Sequence, residues 1–148
     1  MTKQEILAQL PYGKSFQFVD ELLHVDENEI KGSFTFSESL SFYESHFKNH
    51  PVTPAVILTE TMAQIGLVCL GIYLLKDSGI QGSPSVAMTS NAIDFLKPVY
   101  PGEKVTVSSE KIYFRFNKLS CKVKMENAAA EVVCRGTISG MLISEGNG

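Results

Sequence analysis

The sequence predicts an α+β domain in which an antiparallel sheet curls around one long central helix. Three observations lead to this class: two strand-like segments open the chain, a very apolar helical segment follows, and long strand-like segments complete it. The 148 residues fit a single domain, 1–148, with one core. One helix covers only one side of a sheet and leaves the edge strands without hydrogen-bond partners. We therefore expect two copies to pair edge to edge.

The first part of the chain predicts a short helix and two strands. Thr2 and Glu5 form a capping-box pattern at the start of the helix. Residues 16–25 and 29–36 favour strands, and the Asp-Glu-Asn sequence at 26–28 is typical of the turn between them. The opening residues lack the basic and apolar regions of a secretory signal, so we expect a cytoplasmic protein.

The central segment predicts one long buried helix. Thr53 followed by Pro54 is a typical start, a capping hydroxyl before a residue already fixed at helical φ. Apolar residues then cover almost every face as far as about Lys76. The run without strongly polar groups begins only at Ile65, which leaves it short of the ~20 residues that a bilayer requires. We therefore expect a core helix rather than a membrane span.

The segments after the helix predict four strands, at residues 85–97, 103–116, 119–126 and 130–143. In the third of these, apolar and polar residues alternate without interruption, as in an antiparallel strand with one buried face. We expect these strands to form a meander around the helix. Residues 37–53 form a long connection before the helix, and such connections often carry functional residues.

Composition and short motifs exclude several classes of function. The formal net charge of −3 argues against a surface that binds nucleic acid. The sequence has neither a glycine-rich nucleotide loop nor a serine-nucleophile elbow. Cys69, Cys121 and Cys134 are odd in number and lack CxxC spacing, which predicts buried thiols rather than a disulfide framework or a zinc site.

Two residues around the start of the central helix can transfer protons. His46 is a candidate general base, because imidazole accepts a proton near neutral pH; alternatively it is a loop histidine bonded to the backbone. Glu60 lies in an apolar helix, where its charge must be paired, solvated by a cavity or removed by a raised pKa; alternatively its side chain reaches the surface. Gln64, four residues later, shares a helix face with Glu60.

The other histidines predict structural roles. His46 and His50 have a spacing found in metal sites, but Pro51 and the lack of a third ligand argue against one, so we expect no metal. His50 precedes a proline, which indicates a role in shaping the turn. His24 lies on a predicted strand and gives no signal of chemistry.

Three stretches of the chain resemble the FabZ-type beta-hydroxyacyl-acyl-carrier-protein dehydratases. Residues 45–64 read SHFKNHPVTPAVILTETMAQ, where the family signature has the sense GHFPxxPxxPGxxxxExxAQ. Residues 10–23 read LPYGKSFQFVDELL, similar to the family's LPHRxPFLLVDRVL, and residues 92–105 read AIDFLKPVYPGEKV, similar to its FxxPVxPGD segment. The resemblance covers nearly the whole chain and implies the hot-dog fold, in which the sheet wraps the helix and two subunits form two active-site tunnels.

The resemblance implies roles for individual residues. It places the catalytic histidine at His46 and the catalytic glutamate at Glu60, one from each subunit of a homodimer, with Gln64 orienting Glu60. In dehydration, His46 takes the C2 proton, and a backbone N–H near Ala55 polarises the thioester carbonyl. Glu60 protonates the departing C3 hydroxyl. Dimers of this family also assemble further, as in a trimer of dimers.

The resemblance also implies a carrier for the substrate. The 3-hydroxyacyl group arrives on the phosphopantetheine arm of an acyl carrier protein, so we expect no bound cofactor. Lys97 and Arg115 are candidates for docking this acidic carrier. Phe95 and Tyr100 line or gate the tunnel, unless they are core aromatics.

Three residues depart from the family signature. Ser45 and Ala55 replace glycines and Lys48 replaces a proline. Ala55 keeps its N–H, but its methyl group can narrow or redirect the tunnel, so the pathway is either fatty-acid synthesis or a specialised polyketide or polyene pathway. Two other functions stay open: a hot-dog thioesterase, whose helical carboxylate activates water or attacks the carbonyl, and a noncatalytic acyl-binding protein.

Overall fold

The computed structural model describes residues 1–79 and 85–143. Its helices are α1 (Lys3–Ala8) and α2 (Ala55–Leu74), and its strands are β1 (Glu21–Val25), β2 (Glu29–Thr35), β3 (Ser85–Phe95), β4 (Lys104–Arg115), β5 (Lys118–Glu126) and β6 (Val132–Ile143). Short 3₁₀ turns lie at Lys14–Phe16 and Ser41–Glu44. The α+β class, with a curled antiparallel sheet and one long helix, is confirmed.

Two local predictions at the start of the chain are confirmed. The Thr2 hydroxyl accepts a hydrogen bond from the Glu5 N–H at 3.1 Å, which satisfies one of the free amides of the first turn of α1. In the turn between β1 and β2, the Asp26 carboxylate accepts the N–H groups of Asn28 and Glu29. Side-chain oxygens therefore replace the missing backbone partners at both places.

Within residues 1–79 and 85–143, six strands form one antiparallel sheet in the order β1-β2-β4-β5-β6-β3. The meander predicted after the helix is confirmed for β4, β5 and β6. Strand β3 departs from it, because it pairs with β6 at the far edge of the sheet. Gly136 permits this pairing, since a Cβ there would collide with the Ala92 carbonyl oxygen of β3. Strands β1 and β3 are thus the two edges of the sheet.

Helix α2 forms the centre of the core. Among the described residues, α2 alone is long and apolar enough to cross a membrane. However, 72% of its apolar stretch is buried inside the fold, as in a core helix. Met62, Ile65 and Leu70 are completely buried. The middle of the helix, Gln64–Cys69, is a π turn between two α-helical parts. All three cysteines are free and buried, as predicted.

The first predicted strand begins later than expected. We predict it from residue 16, but β1 starts at Glu21. The Phe16 carbonyl and the Phe18 N–H hydrogen-bond to the side chain of Gln64 on α2, so this backbone is bonded to the helix instead of to a strand. All six predicted strands overlap strands of the described residues.

The prediction that the Thr53 hydroxyl caps α2 is also wrong. Pro54 occupies the cap position, and no side chain caps the helix there. The Thr53 hydroxyl hydrogen-bonds the Tyr43 hydroxyl, and the Thr53 N–H donates to the Val99 carbonyl at 2.8 Å. Thr53 therefore fastens the connection before α2 to the body of the fold.

We expect Gly136→Ala to lower the free energy of unfolding by about 3 kcal/mol, because the added methyl group overlaps the backbone of β3. Gly13→Ala is the matched control, since a Cβ at Gly13 meets nothing within 4 Å; we expect it to change stability by less than about 0.5 kcal/mol. Urea unfolding followed by circular dichroism measures both. If the Gly136→Ala and Gly13→Ala variants were equally stable, the close approach of β3 and β6 would be contradicted.

Candidate active site

The first turn of α2 presents free backbone amides. Ala55 is the first helical residue, and the amides of Ile57 and Leu58 are the ones bonded to the Pro54 carbonyl. The N–H groups of Ala55 and Val56 come before this bonding pattern and have no carbonyl of the same helix to reach. The helix dipole makes such a position favourable for developing negative charge.

A groove of about 270 Å³ opens beside this helix start. Its walls come from the first turn of α2 and from the end of β3 with the residues that follow: Thr53, Ala55, Leu58, Phe95, Leu96, Lys97 and Pro98. Phe95 is 46% exposed and lies on the wall with Ala55, so it is not a core aromatic. Tyr100 is exposed as well, but it is not one of these wall residues.

Glu60 and Gln64 form a polar pair within α2. The completely buried Gln64 donates from Nε2 to Glu60 Oε2 at 3.0 Å and to the Phe16 carbonyl at 2.9 Å. Its Oε1 accepts the Phe18 N–H at 2.7 Å. The predicted stacking of Glu60 and Gln64 on one face is confirmed, and the same amide joins the helix to residues 16–18.

The Glu60 carboxyl is half-buried rather than free at the surface. Burial raises its pKa above the ordinary value, and the hydrogen bond from Gln64 offsets part of that rise. A carboxyl in such surroundings keeps its proton to higher pH and can donate it to a leaving group.

Tyr12 is a neighbour of Glu60 that the sequence analysis missed. Its ring packs against Phe16 with centroids 6.3 Å apart. Burial, followed by the nearby Glu60 carboxylate, raises the pKa of its phenol, which therefore stays protonated. The available signal was its place in the LPYGKSF stretch, in which the resemblance to the family begins.

His46 lies in the connection between β2 and α2, and the backbone fixes its ring. Its Nδ1 is 2.9 Å from the Val52 carbonyl oxygen, and the Val52 N–H donates back to the His46 carbonyl at 2.9 Å. A carbonyl only accepts, so neutral His46 carries its proton on Nδ1 and keeps a free lone pair on Nε2. The ring also stacks on Phe47, with centroids 4.2 Å apart. The bond to the backbone therefore leaves Nε2 of His46 able to accept a proton.

The other two histidines are exposed. His50 is exposed, and its backbone N–H and carbonyl both bond to Phe47, which agrees with its predicted role in the turn. His24 is exposed at the β1–β2 turn, where its Nε2 lies 2.8 Å from Asp26 and 3.4 Å from Glu29. These three groups are close enough to share an ion, but His24 and Glu29 are exposed and His24 contacts both carboxylates directly.

We expect Glu60→Gln to raise stability at neutral pH, with the gain vanishing in acid. A carboxyl whose folded-state pKa is raised binds more protons in the folded state, so stability falls as the pH rises from the unfolded pKa through the folded one. Urea unfolding at about pH 4, 6 and 8 measures this difference. Glu44→Gln, at an exposed position, is the control. A Glu60→Gln protein that is less stable than the parent at the highest pH would contradict the burial argument.

Sequence comparisons identify relatives across most of the chain. A family model described as a FabA-like domain matches residues 10–138. The 3-hydroxyacyl-acyl-carrier-protein dehydratase FabZ of Petrotoga mobilis is 34% identical over 134 residues, which cover 90% of this chain and 91% of that protein.

Comparison with solved structures identifies proteins that share the fold of this chain. The dehydratase heterocomplex ApeI:P from Xenorhabdus doucetiae matches with a TM-score of 0.80 at 12% identity, covering 98% of this chain and 93% of that chain. A hypothetical thioesterase from Streptococcus pneumoniae with coenzyme A matches with a TM-score of 0.64 at 15% identity, covering 84% and 85%. The hot-dog fold is confirmed, and by its sequence the chain belongs to the family of FabZ-type 3-hydroxyacyl-acyl-carrier-protein dehydratases, with a FabA-like domain.

Proposed function

We propose that this protein removes water from 3-hydroxyacyl groups on acyl carrier protein and releases the trans-2-enoyl thioester, a step of fatty-acid biosynthesis. The observation that carries the proposal is the half-buried Glu60 carboxyl, whose pKa is raised by burial and which the buried Gln64 holds in place. His46 adds a base with a defined tautomer. Membership of the family supplies the substrate class.

The first task is removal of a proton from C2 of the acyl group. The free lone pair on His46 Nε2 accepts it, while the C–H electron pair moves toward the thioester carbonyl. The imidazole becomes an imidazolium, and its Nδ1–H bond to the Val52 carbonyl becomes charge-assisted and stronger. Val52 is therefore part of what stabilises the base after proton transfer.

The second task is stabilisation of the enolate-like oxygen. The amides of Ala55 and Val56 at the start of α2 are suited to this, because they have no partner within the helix and the dipole is positive there. The groove beside Ala55 gives a thioester access to them. The methyl group of Ala55 narrows that access relative to glycine and favours a restricted set of acyl groups.

The third task is loss of the C3 hydroxyl. Glu60 gives its proton to this oxygen as the C3–O bond breaks, so water departs and the C2–C3 double bond forms. His46 then holds one extra proton and Glu60 lacks one, and transfer between them through water restores the resting state. No electrons leave the substrate, so the proposed steps use no redox cofactor.

A second copy of the chain is part of the proposal. Strand β3 is an edge of 11 residues, most of them exposed. Met88, Phe95 and Leu96 add exposed apolar surface at this edge. Pairing β3 with its equivalent in another copy satisfies the free edge and covers these side chains. The resemblance to the family implies that His46 of one copy then faces Glu60 of the other, and we propose that these dimers can assemble further.

The acidic carrier protein approaches the groove in this proposal. Lys97 lies on the groove wall, and its Nζ is 2.8 Å from Glu131. Arg115 lies over the ring of Tyr113 instead. Lys97 is thus the better placed of the two cations to meet a carrier as its phosphopantetheine arm enters.

We expect His46→Ala and Glu60→Gln each to lower kcat by about 10²–10⁴-fold, because each removes one proton-transfer group. The assay follows formation of the enoyl thioester from a 3-hydroxyacyl carrier substrate that yields a crotonyl product. His50→Ala and Glu44→Gln are the matched controls, because both residues are exposed and lie in the connection that contains His46. Near-parental turnover in both site variants would exclude these roles.

The same samples separate the alternatives. A thiol reagent reports free carrier thiol, which a thioesterase releases and a dehydratase does not. Acyl-carrier binding without either product identifies a noncatalytic acyl-binding protein. The proposal requires enoyl product without stoichiometric thiol release.

We expect mixing of the two inactive variants to restore activity if each site combines two copies. Random pairing of His46→Ala with Glu60→Gln subunits makes about half of the dimers mixed, and each mixed dimer has one intact site of two, so about a quarter of parental activity returns. The mixture is unfolded and refolded together, and the mass of twice the chain's 16.3 kDa is checked by light scattering. Absence of rescue in a verified mixed dimer would place both residues of a site in one chain.

A further inference from the structure

The π turn of α2 is held by a hydroxyl group from the sheet. Ser109 on β4 is buried, and its Oγ donates a hydrogen bond of 2.9 Å to the Gly66 carbonyl oxygen inside the turn. A Cβ on Gly66 would lie 3.1 Å from both Ser109 Oγ and Val123 Cγ1, so the turn lies directly against β4 and β5. π turns are rare interruptions of α-helices and cluster at functional sites. We therefore ask which site residues this contact positions.

The π turn sets the direction of the residues that precede it. An α-helix rotates by about 100° per residue, so one extra residue in the turn rotates the first part of α2 by about that angle relative to the last part. Gln64 is the first residue of the turn, and Glu60 lies one helical turn before it. This rotation directs the Gln64 amide at the backbone of Phe16 and Phe18, while its bond to Glu60 follows from their four-residue spacing.

We propose that Ser109 is a positioning residue for Glu60: by holding the Gly66 carbonyl it fixes the π turn, and through the turn it fixes the Gln64 amide that orients the carboxyl. The inference rests on the proposed role of Glu60 as the acid of the dehydration. Burial strengthens the Ser109 bond, because no water competes for the hydroxyl or the carbonyl. Ser109 acts through the geometry of the helix, from the side that faces the sheet.

The test is a titration of Glu60 in Ser109→Ala. The carboxyl carbon of Glu60 is followed by NMR in ¹³C-glutamate-labelled protein, with its signal identified by its loss in Glu60→Gln. We expect the midpoint to rise by about 0.5 pH or more, because the bond from Gln64 that favours the ionised carboxylate is weakened. We expect kcat to fall by about threefold or more as the acid is misplaced. Ser109→Cys, nearly isosteric with a weaker donor, gives an intermediate midpoint and keeps the test available if the alanine variant does not fold.

Ser139→Ala is the matched control. Ser139 is a buried serine of β6 whose hydroxyl donates to Ser120 at 2.8 Å, so its loss removes a comparable buried hydrogen bond away from α2. We expect a similar drop in melting temperature with an unchanged Glu60 midpoint. An unchanged midpoint in Ser109→Ala, or an equal shift in both variants, would overturn the positioning role.

The titration separates this inference from the proposed function. If the parent protein makes no enoyl product but the Ser109→Ala midpoint still moves, the dehydratase proposal fails and the structural coupling stands. If the parent is an active dehydratase and the midpoint does not move, the coupling fails and the function stands.

Discussion

The buried amide of Gln64 is the interaction on which the site and the surrounding fold both depend. It bonds at once to the Phe16 carbonyl, the Phe18 N–H and the Glu60 carboxyl. Only a carboxamide offers two donors and an acceptor in one planar group, so neither glutamate nor an apolar residue can replace it. Each buried group left without a partner would cost about 1–3 kcal/mol. The segment that precedes β1, the helix and the acid are therefore held by one side chain.

The sequence was sufficient for the parts of the molecule that depend on side-chain identity and period. The apolar run of α2, the alternation in β5 and the capping pattern at Thr2 predicted elements that the structure contains. The four-residue spacing of Glu60 and Gln64 predicted a shared face, and the two side chains are hydrogen-bonded there. These features follow from local geometry, which sequence spacing reports directly.

The features that the sequence did not predict depend on contacts between distant parts of the chain. The strand expected from residue 16 begins only at Glu21, because the Phe16 carbonyl bonds to Gln64, 48 positions away. A bond from His46 to the backbone is one of the two alternatives that the sequence allows, but its partner, the Val52 carbonyl, leaves no mark in the sequence. Ser109 meets Gly66 across 43 positions. Strand β3 reaches the far edge because Gly136 permits a close approach, a property visible only once the partner is known.

The placement of Glu60 on α2 constrains how such a protein can diverge. Thr61, Met62 and Ala63 follow Glu60 and are buried, so replacements there disturb the hydrophobic centre along with the chemistry. The groove wall at Phe95 and Leu96 is exposed in the single chain, and replacements there leave this hydrophobic centre intact. Under the proposed function, descendants that arise by gene duplication would inherit the Glu60–Gln64 pair almost unaltered, while replacements along the groove change which acyl groups fit.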